Sequence, residues 1–256
     1  MDLLTTRRMG RTLLVRAEAS STNDVAWELL AVGTPDGTTV IADAQPQGRG
    51  RAGRAWHMAP GKGLAMSLAL HEGCGRTKTR ALPLVAGLAL ARACDGLGVM
   101  TELKWPNDVL LQGRKLAGIL CESRRLASGS EAVVIGAGVN VAEREEDFPP
   151  ELRGRAISLA VAGSPASREE VAAAFLNALE PLWTEHQEGE PGAVLDAWKR
   201  RASFWGRPVT VRSALGSTTG IARGLDAEGG LVLEVDGGKD VVVLAGDVVV
   251  AGGEAR

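Results

Sequence analysis

The sequence predicts an α/β fold that ends in a small all-β, barrel-like unit. Three observations carry that reading. Up to about residue 201, short β-branched or apolar runs alternate with stretches whose apolar residues recur at helical spacing. From Gly206 the texture changes to five short strands separated by Gly and Asp turns, a unit of roughly 50 residues. The composition is that of an ordinary globular chain: 256 residues, 45% hydrophobic, 23% charged, formal net charge -2.

The elements follow in order. Arg11 to Ala19 reads as a first strand. The polar cluster Ser20-Ser21-Thr22-Asn23-Asp24 then precedes Val25, Ala26, Leu29 and Leu30 at amphipathic spacing. That cluster is either a helix N-cap or a set of hydroxyls and an amide facing a polar ligand, and both readings can hold together. Thr38 to Ala42 is a strand leading into a Gly/Arg loop, and Gly63 to Leu70 is the strand that leaves it. Leu82 to Leu97 is a helix with Leu84, Leu88 and Ala91 on one face. Glu102 to Leu111 and Leu116 to Cys121 form a hairpin around Gln112-Gly113-Arg114, with Pro106 demanding an edge, a strand end or a bulge.

Ala132 to Val141 is a buried strand ending at Asn140. Its Gly136-x-Gly138 matches part of a dinucleotide fingerprint, but the third glycine and following helix are missing. Close approach of a ligand base or neighbouring backbone explains those glycines better. Ala142 to Arg155 is a charged, proline-bearing loop expected to be mobile. Arg168 to His186 and Pro191 to Arg201 are helices, the second with Pro191 in its first turn. The strands after the boundary near Trp205 are Val209 to Val211, Gly220 to Arg223, Leu231 to Val235, Val241 to Leu244 and Val248 to Val250.

Several function classes are disfavoured. The near-neutral charge argues against a dedicated nucleic-acid binder. No apolar run is long enough for a transmembrane helix, and no signal peptide is evident. Cys74, Cys94 and Cys121 are scattered, with no zinc spacing, which suits a reducing cytoplasm. His57 and His71 have no evident triad partners, His186 falls at a polar helix end, and tyrosine is absent.

The stretch Gln45 to Trp56 alternates Gly48, Gly50 and Gly53 with Arg49, Arg51 and Arg54. Glycine permits close backbone approach and positive φ. Arginine supplies forked donors for carboxylate or phosphate oxygens. The stretch therefore reads as a loop closing over a small anion, or as a solvated basic loop. The hairpin likewise either aims Lys104, Asn107, Asp108 and Lys115 to one side or is an ordinary exposed turn.

Taken together, five blocks resemble the biotin protein ligase family over nearly the whole chain. They are Ser21-Thr22-Asn23, Gly48 to Trp56, Lys104-Trp105-Pro106-Asn107-Asp108, Lys115 to Leu120 and Gly136 to Asn140. The segment Ala245-Gly246-Asp247-Val248 resembles that family's SH3-like C-terminal domain. The resemblance implies a class II synthetase-like catalytic domain with a mixed sheet over 1–204 and an SH3-like barrel over 205–256. It implies a reaction in which biotin and Mg-ATP give biotinyl-5′-AMP, followed by transfer to a lysine of a biotin carboxyl carrier protein. Cytoplasmic location is implied with it, and family members can dimerise, although the sequence carries no interface signal.

The same resemblance implies roles residue by residue. Ser21, Thr22, Asn23 and Gln45 would bond the ureido ring of biotin. Gly48, Arg49, Gly50 and Arg51 would wrap biotin and phosphate, Trp56 would pack at the pocket, and Gly118 would line the biotin site. Lys115 would hold the biotin carboxylate, then the acyl-phosphate oxygens. Arg54, Lys104, Asn107, Asp108 and Asn140 would serve the nucleotide, with Asp108 as an oxygen ligand to Mg²⁺. Arg51, Lys115 and Asp108 are the expected catalytic set. Asp24 and Gln47 depart from the family pattern without removing a required donor. Ser21 lies too near the start for the winged helix-turn-helix that some members carry, so a repressor role is not expected. A lipoate or octanoate ligase of the same fold, and a non-enzymatic biotin sensor or DNA-binding regulator, are the alternatives.

Overall fold

A computed structural model describes residues 3–71, 75–189, 192–214 and 216–251. Seven strands form a mixed sheet: β1 (Leu13–Glu18), β2 (Thr38–Ala44), β3 (Leu64–Leu70), β4 (Glu102–Lys104), β5 (Asp108–Leu111), β6 (Arg114–Arg125) and β7 (Glu131–Val139). Their order is β1-β2-β3-β7-β6-β5-β4. Only the β1–β2 pair is parallel; the other neighbours are antiparallel.

Side chains on a strand point alternately to opposite faces. Leu64, Met66, Leu68 and Leu70 on β3, with Val133, Ile135, Ala137 and Val139 on β7, therefore enter one large apolar core. Helix α2 (Gly75–Gly96) covers this face, and its Leu82, Leu84, Val85 and Leu88 are at most 1% exposed. Helices α3 (Arg168–Glu188) and α4 (Gly192–Lys199) pack outside it and add Phe175, Leu179, Trp183 and Trp198 to the same core. Each such side chain contributes about 1.5–3 kcal/mol of burial. Helix α3 starts at a capping box in which Glu170 N–H donates to Ser167 Oγ at 3.2 Å and Ser167 N–H donates to Glu170 Oε2 at 2.8 Å. Glu180 further along α3 accepts from the backbone N–H groups of Arg7, Arg8 and Met9 at 2.6 to 2.9 Å. Burial opposes its charge, but those donors prevail and hold the carboxyl below the usual range.

The opposite face of the sheet is only partly covered. Helix α1 (Thr22–Ala31) packs Ala26, Trp27 and Leu30 against Val40, Ala69, Ala132 and Val134. Beyond α1 this face carries small residues and is left open.

Five antiparallel strands form the second sheet: β8 (Pro208–Ser213), β9 (Gly216–Leu225), β10 (Leu231–Val235), β11 (Lys239–Val243) and β12 (Asp247–Val250), in the order β11-β10-β9-β8-β12. Val209, Val211, Ala222, Leu231 and Leu233 join the large core, so apolar packing is continuous between the sheets. Trp105, 2% exposed, ties them by donating from Nε1 to Gly229 O at 3.0 Å.

Some expectations need correction. Helix α2 begins at Gly75, a turn and more before Leu82, and Pro83 lies inside it. The proline of the hairpin does fall at a strand end, in the turn between edge strand β4 and β5, where a cis peptide joins it to Trp105; the irregularity in register lies elsewhere, between Val109 and Leu110. The 142–155 segment is not featureless: it holds two 3₁₀ turns, Glu145–Asp147 and Pro150–Leu152. His186 does lie in the polar last turn of α3, but its side chain is fully buried. Cys74 and Pro191 lie outside the described residues.

Candidate functional site

The open face is the floor of a cavity of about 830 Å³. Ala65, Gly118, Gly136 and Gly138 line it, and Gly118 stands opposite Gly138 in the β6–β7 register. These glycines have a specific steric reason. A β-carbon on Gly136 would stand 2.2 Å from Asn23 Oδ1, and one on Gly138 would stand 2.5 Å from the Trp56 indole. The Gly-x-Gly pair thus admits side chains arriving from α1 and from the arginine loop. After β7 the chain reaches no α-helix before Arg168, which removes the dinucleotide reading.

At one side of the cavity the N-terminus of α1 brings hydroxyls and amides together. Ser21 is the N-cap by backbone angle, but its side chain makes no capping bond, so its hydroxyl is left for the cavity. The first helical N–H, that of Thr22, donates instead to Gln45 Oε1 at 2.9 Å, and Thr22 Oγ1 lies 3.2 Å from the same oxygen. Asn23 is 3% exposed and committed: its Nδ2 donates to Glu122 Oε2 at 2.8 Å, and its Oδ1 lies 2.6 Å from Ser67 Oγ. The second Nδ2 hydrogen points to Leu120 O at 3.4 Å, so Asn23 lines the site by holding its neighbours and has no spare hydrogen.

The loop after β2 is a small closed turn. Trp56 N–H donates to Gly48 O at 2.8 Å and Gly50 N–H to Arg54 O at 2.7 Å. Of its glycines only Gly53 has positive φ (73°), and Ala52 shares that region at 54°. Gly48 does not line the cavity; a β-carbon there would meet Trp56 O at 2.5 Å, so it serves the turn. The three arginines fan out to three elements. Arg49 pairs bidentately with Asp24 on α1 at 2.6 and 2.9 Å. Arg51 NH1 donates to Asn107 Oδ1 at 3.2 Å, and Arg54 pairs with Asp247 of β12 at 2.9 Å. Burial lowers the Arg51 pKa, opposed by Asp247 and Asp108 and reinforced by Arg54.

The β4–β6 hairpin supplies the other side. Lys115 Nζ pairs with Asp108 Oδ1 at 2.7 Å and lies 5.7 Å from the centre of the Trp56 ring. Asn107 is 8% exposed, its Nδ2 spent on Ile119 O at 2.7 Å, so that its oxygen faces Arg51. Lys104 also lines the cavity. Asn140 lines it too, but its Nδ2 donates to Ile157 O at 3.0 Å and Lys115 O at 3.3 Å, stitching β6 to the 156–157 backbone. The 142–157 segment is held by Lys62 to Asp147 at 2.6 Å and Arg114 to Glu145 at 3.1 Å.

Every sequence-named site residue except Gly48 therefore borders one cavity. Sequence reasoning missed Arg212 and Asp247, which β8 and β12 bring to the rim, and Ser67 and Glu122 behind α1. Ser67 carried a signal, as the lone polar residue in an otherwise apolar strand. Among the described residues no group of three His, Cys, Asp or Glu could hold a metal by itself, and no helix is long and apolar enough to cross a membrane.

Comparison with known proteins gives consistent matches. The model of the biotin/lipoate A/B protein ligase family matches residues 15–140, and that of the biotin protein ligase C-terminal domain matches residues 204–250. A biotin--[acetyl-CoA-carboxylase] ligase of Paracoccus denitrificans is 35% identical over 236 residues, covering 90% of this chain and 97% of that protein. A bifunctional ligase/repressor of Bacillus subtilis (strain 168) is 36% identical over 237 residues, covering 92% of this chain and 73% of that protein. The structure of a biotin protein ligase from Aquifex aeolicus in complex with biotin and ATP superposes with a TM-score of 0.80 at 28% identity, covering 94% of this chain and 98% of that one.

Proposed function

The chain belongs to the biotin protein ligase family, and we propose that it joins biotin to a lysine of a biotin carboxyl carrier domain at the expense of ATP. The observation that carries this reading is the division of one cavity between a neutral hydroxyl and amide cluster (Ser21, Thr22, Gln45) and a cationic group (Arg49, Arg51, Arg54, Lys104, Lys115). The first suits a cyclic urea and the second a carboxylate meeting a triphosphate.

In the first half-step a carboxylate oxygen of biotin bonds to the α-phosphorus of ATP and pyrophosphate leaves. Two anions must approach, so Lys115 and Arg51 offset their repulsion and the charge that grows at phosphorus. Asp108 keeps the Lys115 ammonium at the site through their 2.7 Å pair. In the second half-step the amine of the carrier lysine bonds to the acyl carbon and AMP leaves. Trp56 on its glycine bed walls the space between urea end and anion end, and Asn140 with the 142–157 segment borders the space for adenine.

Asp108 is a hard carboxylate beside the cations, which fits one oxygen ligand to a Mg²⁺ arriving with the ATP phosphates and spreading their charge. No covalent enzyme intermediate is required. A long-chain lipoyl substrate would leave the urea-matched group without partners, which disfavours the lipoate reading.

The test is incubation with ATP, Mg²⁺, a carrier domain and either biotin or lipoate. Labelling of the carrier by biotin alone is expected. Labelling by lipoate, or by neither, contradicts the proposal.

A further inference from the structure

Behind the urea end of the cavity runs a chain of hydrogen bonds whose direction is fixed at its far end. Glu122 of β6 carries a carboxylate, which only accepts. Its Oε2 takes the Asn23 Nδ2 donor at 2.8 Å and the Trp27 Nε1 donor at 3.1 Å. The atom of Asn23 facing it must therefore be nitrogen, and the atom facing Ser67 must be oxygen. Ser67 Oγ lies 2.6 Å from that oxygen and 2.7 Å from Thr22 Oγ1. A hydroxyl has one hydrogen, and Asn23 Oδ1 has none to give, so the Ser67 hydrogen goes to Asn23. The shorter contact at 2.7 Å then takes the Thr22 hydrogen, against 3.2 Å to Gln45 Oε1. Either recipient lies inside the protein, so Thr22 faces the cavity with lone pairs only.

We propose that Glu122, without touching ligand, is a positioning residue that sets the polarity of the Thr22–Ser67–Asn23 chain and thereby makes Thr22 Oγ1 select a ring N–H of the ligand. The inference rests on the biotin reading, since that N–H is one of the two in the urea. Asn23 Nδ2 also reaches Leu120 O, but at 3.4 Å against 2.8 Å to Glu122, so removing the carboxylate leaves only the weaker contact holding the amide and lets it turn over. Its nitrogen then donates to Ser67 and Ser67 donates to Thr22, so the Thr22 hydrogen loses its acceptor at Ser67, one of its two lone pairs is occupied, and Thr22 no longer presents lone pairs alone to the cavity.

The test measures biotin-dependent exchange of labelled pyrophosphate into ATP in wild type, Glu122→Leu, Glu122→Gln and Ser67→Ala. Biotin is compared with its two cyclic carbamate analogues, in each of which one urea N–H is replaced by oxygen. Wild type is expected to discriminate against one carbamate by at least about a hundredfold, because lone pairs would face each other. Glu122→Leu is expected to raise KM for biotin roughly tenfold and narrow the carbamate discrimination about tenfold, with KM for ATP changing far less because Arg49, 4.0 Å from Glu122, keeps its closer pair with Asp24 at 2.6 Å. Glu122→Gln keeps an acceptor oxygen and is expected to stay within about threefold of wild type. Ser67→Ala breaks the chain at another link and should narrow the same ratio, so it decides the matter should Glu122→Leu fail to fold. Unchanged ratios in folded Glu122→Leu and Ser67→Ala overturn the proposal alone. Absence of biotin-dependent exchange in wild type overturns the ligase reading and this proposal with it.

Discussion

Replacing Gly138 with alanine tests whether the Trp56 indole belongs on the bed formed by β6 and β7. The backbone of Gly138 is not in the positive-φ region, so alanine is permitted by conformation, and only space is at issue. The new β-carbon would stand 2.5, 2.6 and 2.9 Å from Trp56 Cε2, Nε1 and Cζ2, where ordinary contacts are 3.4 Å or more. The indole must therefore move by about 1 Å, an overpacking of about 1–3 kcal/mol. Trp56 sits on a loop and not in the core, so the ring lifts and the fold is spared. The strain then appears in binding, as a rise in KM for biotin of about 5- to 150-fold, with melting lowered by less than about 3 °C. Gly118→Ala is the graded control. Its β-carbon would meet Trp56 at 3.3 Å and Lys115 at 3.4 Å, so an effect below about fivefold is expected. Kinetics at varied biotin, with calorimetric melting of both variants, makes the comparison. Wild-type KM in folded Gly138→Ala would refute the argument.

Arg51→Gly removes a guanidinium held between Asn107 and the phosphate end, and should speed dissociation of biotinyl-AMP about tenfold or more in a filter-retention assay; an unchanged rate assigns its role elsewhere. Asp24→Asn breaks a pair whose side chains are 43% and 37% exposed, so melting should shift by less than about 2 °C, while ligand-free trypsin cleavage at Arg49 rises several-fold. Equal cleavage with and without biotin and ATP would show that the loop is no lid. Glu143 is buried with Oε1 unpartnered, and burial raises its carboxyl above 4.5, with Asp147 adding and Lys62 opposing. The folded state then holds this proton to higher pH than the unfolded chain does. Its contribution is present in full below 4.5 and falls as pH climbs through the raised value. Denaturant titrations from about pH 4 to 8 should show wild type losing stability relative to Glu143→Gln as pH rises; a constant difference contradicts the assignment.

How much the sequence disclosed depends on how local each signal is. The five strands of the second sheet were legible because each alternates or runs apolar between Gly and Asp turns, and Leu231–Val235 was placed to the residue. The helix over Arg168 was legible from the spacing of Val171, Phe175, Leu179 and Leu182. The 142–157 segment was not, because its 3₁₀ turns are fixed by Lys62 and Arg114 from distant elements. Site membership was readable from residue types, whereas the job of each residue was not. Asn23 looked like a free amide until Glu122, 99 positions away, was seen to occupy it. Gly136 and Gly138 read as making room for a ligand base or a neighbouring backbone, whereas the side chains of Asn23 and Trp56 lie on them. Such roles are set by partners that meet only in the fold.

The central claim is that this cavity forms an anhydride between biotin and AMP before any carrier is present. The most direct measurement is exchange of labelled pyrophosphate into ATP without carrier, for wild type and Lys115→Ala. Exchange that requires biotin, is not supported by lipoate and falls at least about a hundredfold in Lys115→Ala is the result predicted. Exchange that is absent without carrier, or is indifferent to Lys115, would contradict it.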